Sequence, residues 1–350
     1  MSQAADPAQA AEQGTALCRI CGASGSILYA GLSDAHGGLQ GSFTIRRCGA
    51  CGLLWLDPQL RLSDEQKFPY KEKEPLKGLP KSDPGRPLAF LRDGMRQAIL
   101  CGHYGYSLWG CGASCRLLGK FLGLSAWFRE KATWGCGRLF PPAHPADGSL
   151  VIDVGCGEGA LLGILKSLGW RVLGVEPQPQ AAATARRRGI EVVEKVLDEA
   201  DLPQECADWV IVNHVLEHVA DPEAFLHGLL RLLKPAGTLV VRVPNAASLG
   251  HWWFGRCCYH LDPPRHFYGY SCRSLRLLFF RLSVARVAMR TLCRSAGSIY
   301  DCSVRIRRHG KIDIDVRRRE RGRSLFVLLE NLACLLGFPA GEEIEAIATK

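Results

Sequence analysis

Val151-Ile-Asp-Val-Gly-Cys-Gly-Glu-Gly159 decides the fold. The apolar run Leu150–Val154 reads as a buried strand. Glycines at 155, 157 and 159 follow it at once, and Leu161–Leu168 then has helical spacing. Strand, glycine turn and helix open a βαβ unit. The carboxyl end of the first strand of such a unit is where a doubly wound sheet takes a nucleotide-like ligand. Glycine at that place lets the backbone approach the ligand with no Cβ in the way. The spacing is G-x-G-x-G, not the G-x-G-x-x-G of dinucleotide phosphate sites, and no Lys-Ser/Thr pair follows to hold phosphate and Mg²⁺.

Outward from the loop the alternation continues. Arg171–Val175 reads as a second strand, Gln178–Arg188 as a helix, Glu191–Val193 as a third strand and Trp209–Val212 as a fourth. Pro222–Leu233 is a helix ended by Lys234-Pro-Ala-Gly237, and Thr238–Val243 is a fifth strand. Strands alternating with helices predict an α/β, doubly wound, mostly parallel sheet. The tail Glu342–Thr349 alternates enough to be an edge strand. Glu176 closes the second strand in Gly174-Val-Glu-Pro177, about 20 residues past the loop, where a ribose-reading carboxylate belongs.

These residues resemble the class I S-adenosylmethionine-dependent methyltransferases, which implies a Rossmann-like, mostly parallel seven-stranded sheet. The matching pieces are the loop itself, Gly174–Pro177, the strand ending in Asn213-His-Val-Leu-Glu-His218, and Leu232-Leu-Lys-Pro-Ala-Gly237. The resemblance implies that Gly155, Cys156, Gly157 and Gly159 wrap the methionine part of S-adenosylmethionine, with Asp153 near its amino group. Glu176 and Pro177 would meet the ribose, and Val196, Leu197 and Asp198 the adenine. Asn213 and His214 would line the pocket beside the fourth strand. S-adenosylmethionine carries a sulfonium and an ammonium but no phosphate, so carboxylates and carbonyls suit it better than a phosphate cradle. A nicotinamide dehydrogenase is the runner-up on the same architecture; the loop spacing and the Asn-His-x-x-Glu-His run weigh against it.

The chain has 350 residues, enough for two units, with 47% hydrophobic and 22% charged residues, as in ordinary soluble globular chains. Two quantities stand out: 16 cysteines and a formal net charge of +10. Cys18-Arg-Ile-Cys21 and Cys48-Gly-Ala-Cys51, each followed by glycine, form two C-x₂-C knuckles, which suit one tetrahedral Zn²⁺. A unit of that size buries too little to fold alone, so structural Zn²⁺ would supply its folding energy. The other cysteines are scattered and fit a reduced cytoplasm. Cys111, Cys115, Cys136 and His103 are too loosely spaced to predict a second metal site. The expected division is a disordered leader (1–14), a zinc-ribbon module (15–60), a connector and helical segment (61–145) and the methyltransferase domain (146–350). A ribbon before such a domain resembles a bacterial subgroup of methyltransferases that also carries the pattern of Asn245-Ala-Ala-Ser248 and Leu261-Asp-Pro-Pro-Arg-His266. Membership implies a small-molecule, glycan or lipid-linked acceptor.

Methyl transfer is an in-line displacement, so alignment in a dry pocket matters most, and an oxygen or nitrogen acceptor also calls for a base. The segment at about 245–270 follows the fifth strand and is dense in aromatic and basic groups. It is expected to cover the acceptor. Trp253, Tyr259, His260 and Arg265 are its candidate substrate contacts, with Arg265 holding an anionic group, and His266 is the candidate base. His214, Glu217 and His218 fall at i, i+3 and i+4. They are expected to buttress the cofactor pocket rather than hold a hard cation, with His218 a second catalytic candidate. The basic excess gathers in 303–324, beside the apolar Leu325–Phe338. That pairing suits an anionic acceptor or a peripheral contact with the inner face of the membrane better than nucleic acid. No apolar run is long enough for a transmembrane helix. Two other readings stay open: a non-catalytic zinc-ribbon/Rossmann adaptor, and an RNA methyltransferase. The second lacks an Asn/Asp-Pro-Pro-Tyr/Phe motif after the fourth strand.

Overall fold

A computed structural model of the chain describes residues 17–60, 87–133, 136, 139–143, 148–312 and 319–350. The expected leader and the 61–85 connector lie outside the described residues, as do Arg317 and Arg318. The strands, in chain order, are β1 (Gly25–Leu32), β2 (Phe43–Cys48), β3 (Leu54–Leu56), β4 (Leu150–Val154), β5 (Arg171–Val175), β6 (Glu191–Val193), β7 (Ala207–Asn213), β8 (Leu233–Pro244), β9 (Tyr268–Gly269), β10 (Arg286–Leu292) and β11 (Glu343–Thr349). Seven of them make one sheet in the order β10-β11-β8-β7-β4-β5-β6, and the rest make a four-stranded sheet, β1-β2-β3-β9. β4, β5 and β6 run parallel, and β10 and β11 antiparallel. This is the expected Rossmann-like sheet.

The first three expected strands form at the expected residues. β8 is longer than expected: it begins at Leu233 and takes in the Lys234–Gly237 stretch that reads as a helix end. The tail strand is a correction. β11 is not an edge but lies between β10 and β8, and β10 is the edge. The sequence alternation of β11 sets acids against apolar residues, yet both sets are buried. Ile344, Ala346 and Ala348 are fully enclosed, and Glu343 and Glu345 are about as buried. Buried carboxylates persist only when paired. Glu345 takes the Arg242 Nη2 at 2.7 Å and the Arg290 Nε at 2.8 Å, and Arg294 Nε stands 3.3 Å from Glu343.

Packing divides the chain into two compact units. One comprises Lys71–Ile211 and Leu232–Val240. It contains β4–β6 and three helices, Pro87–Gly102, Ala113–Leu122 and Ala126–Ala132, in the segment whose sequence carries no motif. Its glycines have a packing reason: a Cβ on Gly102 or Gly119 would run into the backbone carbonyl of Arg116 or Ala98 on the facing helix. Tyr106 ties this segment inward. Its hydroxyl donates to the Pro141 carbonyl at 2.8 Å and accepts from Trp170 Nε1 at 2.9 Å.

The other unit comprises Met1–Tyr70, Val212–Arg231 and Val241–Lys350. In it the tail organises the segment after β8. Asn245 Nδ2 donates to the carbonyls of Pro339 and Gly341, at 3.0 and 2.7 Å, and its backbone N–H donates to Glu342 O. Ser248 caps the helix Leu249–Phe254 by accepting from His251 N. The Glu342 carboxylate receives Ser248 Oγ at 3.0 Å and Gly250 N at 2.8 Å.

A Cβ at Gly250 would overlap the Glu342 carboxylate, whereas one at Gly163, in the helix Ala160–Ser167, meets nothing. Gly250→Ala is therefore expected to lower stability by about 1–3 kcal/mol, as overpacking does. Gly163→Ala is expected to raise it by about 0.5–1 kcal/mol. Urea midpoints at unchanged slope measure both; equal effects at the two sites would refute the packing argument.

Candidate cofactor and metal-binding sites

The loop after β4 needs glycine for its backbone. Gly155, Gly157 and Gly159 all have left-handed φ, 77°, 54° and 69°. Gly155 N donates to Val175 O at 2.7 Å, which ties the turn to β5. A Cβ on Gly159 would press on Ala185 and Ile190, so that glycine serves packing. A Cβ on Gly157 would meet nothing within 4 Å, so that glycine faces open space. Cys156 sits half-buried between them, its thiol pushed up by burial and by the charges of Asp153 and Glu176.

Two carboxylates converge on this loop. Glu176 is buried at the end of β5. Its Oε2 accepts from Gly157 N at 2.8 Å and its Oε1 from Gln178 N at 3.0 Å. Asp153 is buried at the end of β4. Burial, and then the charge of Glu176, push its pKa up to about 7. A buried acid held near neutrality beside a second acid favours a cationic visitor, and the nearby Arg188 is already engaged with Glu158 at 2.9 Å. Pro177 follows, half-buried. The turn Leu197–Glu199 follows β6, with Val196 and Asp198 exposed and Leu197 half-buried. Carboxylate acceptors of this kind are what a sulfonium and ammonium ligand calls for.

In the other unit, Asn213 ends β7 with its Oδ1 buried and without a hydrogen-bond partner among the described residues. His214 follows in a left-handed conformation, φ 57°, a costly state for this residue type. That backbone sets the ring between Glu217 Oε1 (3.3 Å) and Glu343 Oε1 (3.6 Å). Burial alone would lower the imidazole pKa, but the two carboxylates outweigh it and raise it to about 9. Both acids are held down to about 2, against the burial that would raise them, chiefly by the hydrogen bond from His214. Glu343 could not be foreseen as a partner, because only the sheet order brings β11 there.

His218 and His266 come together, ring centroids 4.8 Å apart and T-shaped. Each has its Nδ1 at a backbone carbonyl, Arg265 O at 3.0 Å and His260 O at 2.8 Å. With Glu217 they form a set whose ligand atoms lie within 4.8 Å of one another, and the Oε2 of Glu217 is buried without a partner. Burial, reinforced by His218, lowers the His266 pKa to about 4.

Arg265, expected to hold an anionic group of the acceptor, is engaged within the protein. It is 4% exposed, and its terminal nitrogens both end on Asp34, at 2.7 and 2.9 Å, with Asp262 at 3.2 Å. Asp34 in turn accepts from the backbone of His36, Gly38 and Leu39, each at 2.9 Å. His260 turns toward Glu342 at 3.5 Å and Tyr259 is half-buried, while Trp253 packs on Phe326 at 5.9 Å. The cavity between this segment and β3, lined by Trp55, His251, Cys258, His260 and His266, encloses about 20 Å³. That is room for a water, not for an acceptor.

The four ribbon cysteines meet. Their sulfurs lie within 4.8 Å of one another, with Cys18–Cys51 at 3.5 Å and Cys21–Cys48 at 3.4 Å. Sulfurs around tetrahedral Zn²⁺ at a bond length of about 2.3 Å stand about 3.8 Å apart, so the set fits that ion. Left-handed Gly22 and Gly52 close the knuckles by donating to Cys18 O and Cys48 O, at 2.8 and 3.0 Å. The ribbon is continuous with its unit: β3 pairs with β9, Ser271 Oγ donates to Cys51 O at 3.0 Å, and Arg281 Nη1 donates to Ile20 O at 2.9 Å. Among the described residues, Cys111, Cys115, Cys136 and His103 do not assemble a ligand set.

Comparison with known proteins adds the family. Residues 129–282 match a family model described as a methyltransferase domain. The ubiquinone biosynthesis O-methyltransferase of Rhizobium etli is 31% identical over 125 residues, 34% of this chain and 50% of that protein. The mitochondrial enzyme of the same name from Mus musculus is 32% identical over 120 residues, 31% of this chain and 32% of that protein. The chain thus spans a third to a half of the length of these curated relatives. Among solved structures, a SAM-dependent methyltransferase from Archaeoglobus fulgidus aligns with a TM-score of 0.43 at 21% identity, covering 63% of this chain and 94% of that one. The residues that match the methyltransferase-domain model, 129–282, are those that carry the parallel strands, the glycine loop and its strand-end acids.

Proposed function

We propose that the protein is an S-adenosylmethionine-dependent methyltransferase acting on a small-molecule, glycan or lipid-linked acceptor, with a structural Zn²⁺ in its ribbon. The observation that carries this reading is the pair of buried acids on a phosphate-free glycine loop. When bound, S-adenosylmethionine would supply an electrophilic methyl group on a sulfonium. Asp153 would hold the ammonium of the methionine part, and Glu176 would hold the ribose hydroxyls. Gly155, Cys156, Gly157 and Gly159 would give the backbone room, and Pro177, Val196, Leu197 and Asp198 the remaining contacts. The names of the matched relatives favour an oxygen acceptor on a lipid-linked or small molecule. On the acceptor side, His218 and His266 are the groups that would take its proton. With Nδ1 held on a carbonyl, each leaves Nε2 as the accepting nitrogen. His266, lowered to about 4, is neutral at physiological pH. The 146–350 stretch is the methyltransferase part in this reading, and 15–60 the zinc ribbon.

The acid pair makes binding pH-dependent. Asp153 has its pKa raised to about 7. Below that pH it is protonated and neutral, and a cationic ligand must displace the proton to gain the carboxylate. Affinity for S-adenosylmethionine should therefore fall as pH drops through about 7, approaching tenfold per unit, with proton release on binding. Calorimetry in buffers of different ionisation enthalpy measures both. Asp153→Asn should weaken binding and abolish the pH slope. No heat with the wild-type chain would leave the adaptor reading standing.

For the ribbon, elemental analysis should find one Zn²⁺ per chain. Cys48→Ser or a strong chelator should remove it and lower the melting temperature, since metal binding is folding free energy for such a unit. A metal-free protein with four titratable ribbon thiols and unchanged melting would refute the zinc assignment.

A further inference from the structure

The helix Arg323–Leu335 is apolar on two opposite faces. Its inner face is seated: Phe326 and Glu330 are buried, and the Phe326 ring meets Tyr300 at 5.2 Å, Trp253 at 5.9 Å and Phe254 at 6.0 Å. Its outer face is not. Leu325, Leu328, Leu329, Leu332, Leu335 and Leu336 are 37–82% exposed. At 100° per residue these six fall within an arc of about 120°, a continuous leucine stripe directed away from the core. Phe338 continues it at 63% exposed. Trp252 is 79% exposed and stands beside Trp253, ring centroids 6.3 Å apart, next to the same helix. Isolated exposed leucines need no explanation, but a contiguous apolar stripe with aromatic neighbours marks an interaction surface.

Charge identifies what it faces. From Ala296 to Arg323 the described residues carry seven Arg and Lys against two acids, Asp301 and Glu320. Both acids are engaged. Asp301 takes Arg323 at 2.7 Å, and Glu320 takes Arg308 at 2.8 Å and stands 3.6 Å from Arg305. Arg307, Lys311, Arg319 and Arg321 are exposed, and Arg307 also lies over the Phe254 ring at 5.2 Å. A second copy of the chain seated on the stripe through a two-fold contact would bring two such basic segments to one interface, and like charges there oppose association. A surface that is apolar below and negatively charged at its rim satisfies both features.

We propose that this face is a peripheral docking surface for anionic phospholipid bilayers. The leucine stripe enters the headgroup–acyl boundary, Trp252 sits at the interfacial level, and Arg319 and Arg321 at the start of the helix meet lipid phosphates. No helix among the described residues is long and apolar enough to cross a membrane, which agrees with a helix that lies in the plane of the surface.

Co-sedimentation of the full chain with phosphatidylcholine vesicles, with and without phosphatidylglycerol, tests this. The wild type should partition onto the phosphatidylglycerol vesicles and be released by salt. Leu328→Asp with Leu332→Asp should abolish binding. Arg319→Gln with Arg321→Gln should lower the partition coefficient about fivefold per arginine. All four positions are solvent-facing, and melting curves report whether each variant is folded. Equal binding to both vesicle types, no binding by the wild type, or binding unchanged in the variants would overturn the proposal. So would sedimentation velocity showing a wild-type dimer that Leu328→Asp with Leu332→Asp dissociates, together with no vesicle binding; the stripe would then belong to a second copy.

Discussion

Burying the acids of the last strand constrains the unit that β11 belongs to. Glu342, Glu343 and Glu345 enter the interior on or next to a strand enclosed on both faces, and each must find a partner there. Each does, and each partner is a different part of the unit. Glu345 draws in Arg242 from β8 and Arg290 from β10, joining the strands on its two sides. Glu343 holds His214 in its left-handed turn. Glu342 receives Ser248 and Gly250 and so fixes the start of the segment that ends in the Pro263-Pro-Arg-His266 turn. Removing one partner would leave a buried charge unpaired, which is far costlier than the net worth of the pair. The tail is thus the element that orders residues far from it in sequence.

The second constraint is local to the glycine loop. Here two acids are brought to the ends of neighbouring parallel strands, where burial and then the charge of Glu176 raise the pKa of Asp153. Glu176 is stabilised by the backbone N–H groups of Gly157 and Gln178, and Asp153 has no comparable cradle, so it is Asp153 that is driven to about 7. Two like acids with one held near neutrality is a poised arrangement: a cation entering the loop relieves it.

The ribbon gains its place in the same way as the tail. Arg265 and Asp34 form a buried bidentate clasp, β3 takes β9 as a sheet partner, and Ser271 reaches the Cys51 carbonyl. A zinc ion would secure the knuckles, but these contacts decide what the knuckles are attached to. In the segment at 245–270, read from sequence as a cover over the acceptor, Arg256 and Arg265 turn to the ribbon and His260 to the tail.

What the sequence by itself determined is whatever depends on near neighbours: β4, β5 and β6 at their residues, the three left-handed glycines, the acid at the end of β5, and the C-x₂-C knuckles. Each is set by period, turn chemistry or ligand spacing within a few residues, and each is legible there. The tertiary structure alone decided which residues face one another across long stretches of chain. Glu342–Thr349 reads as an edge because its alternation is that of a half-exposed strand, and Arg242, Arg290, Arg294 and His214 make its acids fit for an interior. Arg265 reads as an anion anchor because a lone arginine in an aromatic segment has no visible partner, and Asp34 supplies one from the loop after β1. Charge compensation at a distance leaves no local pattern, because a carboxylate has the same sequence context whether water or an arginine answers it.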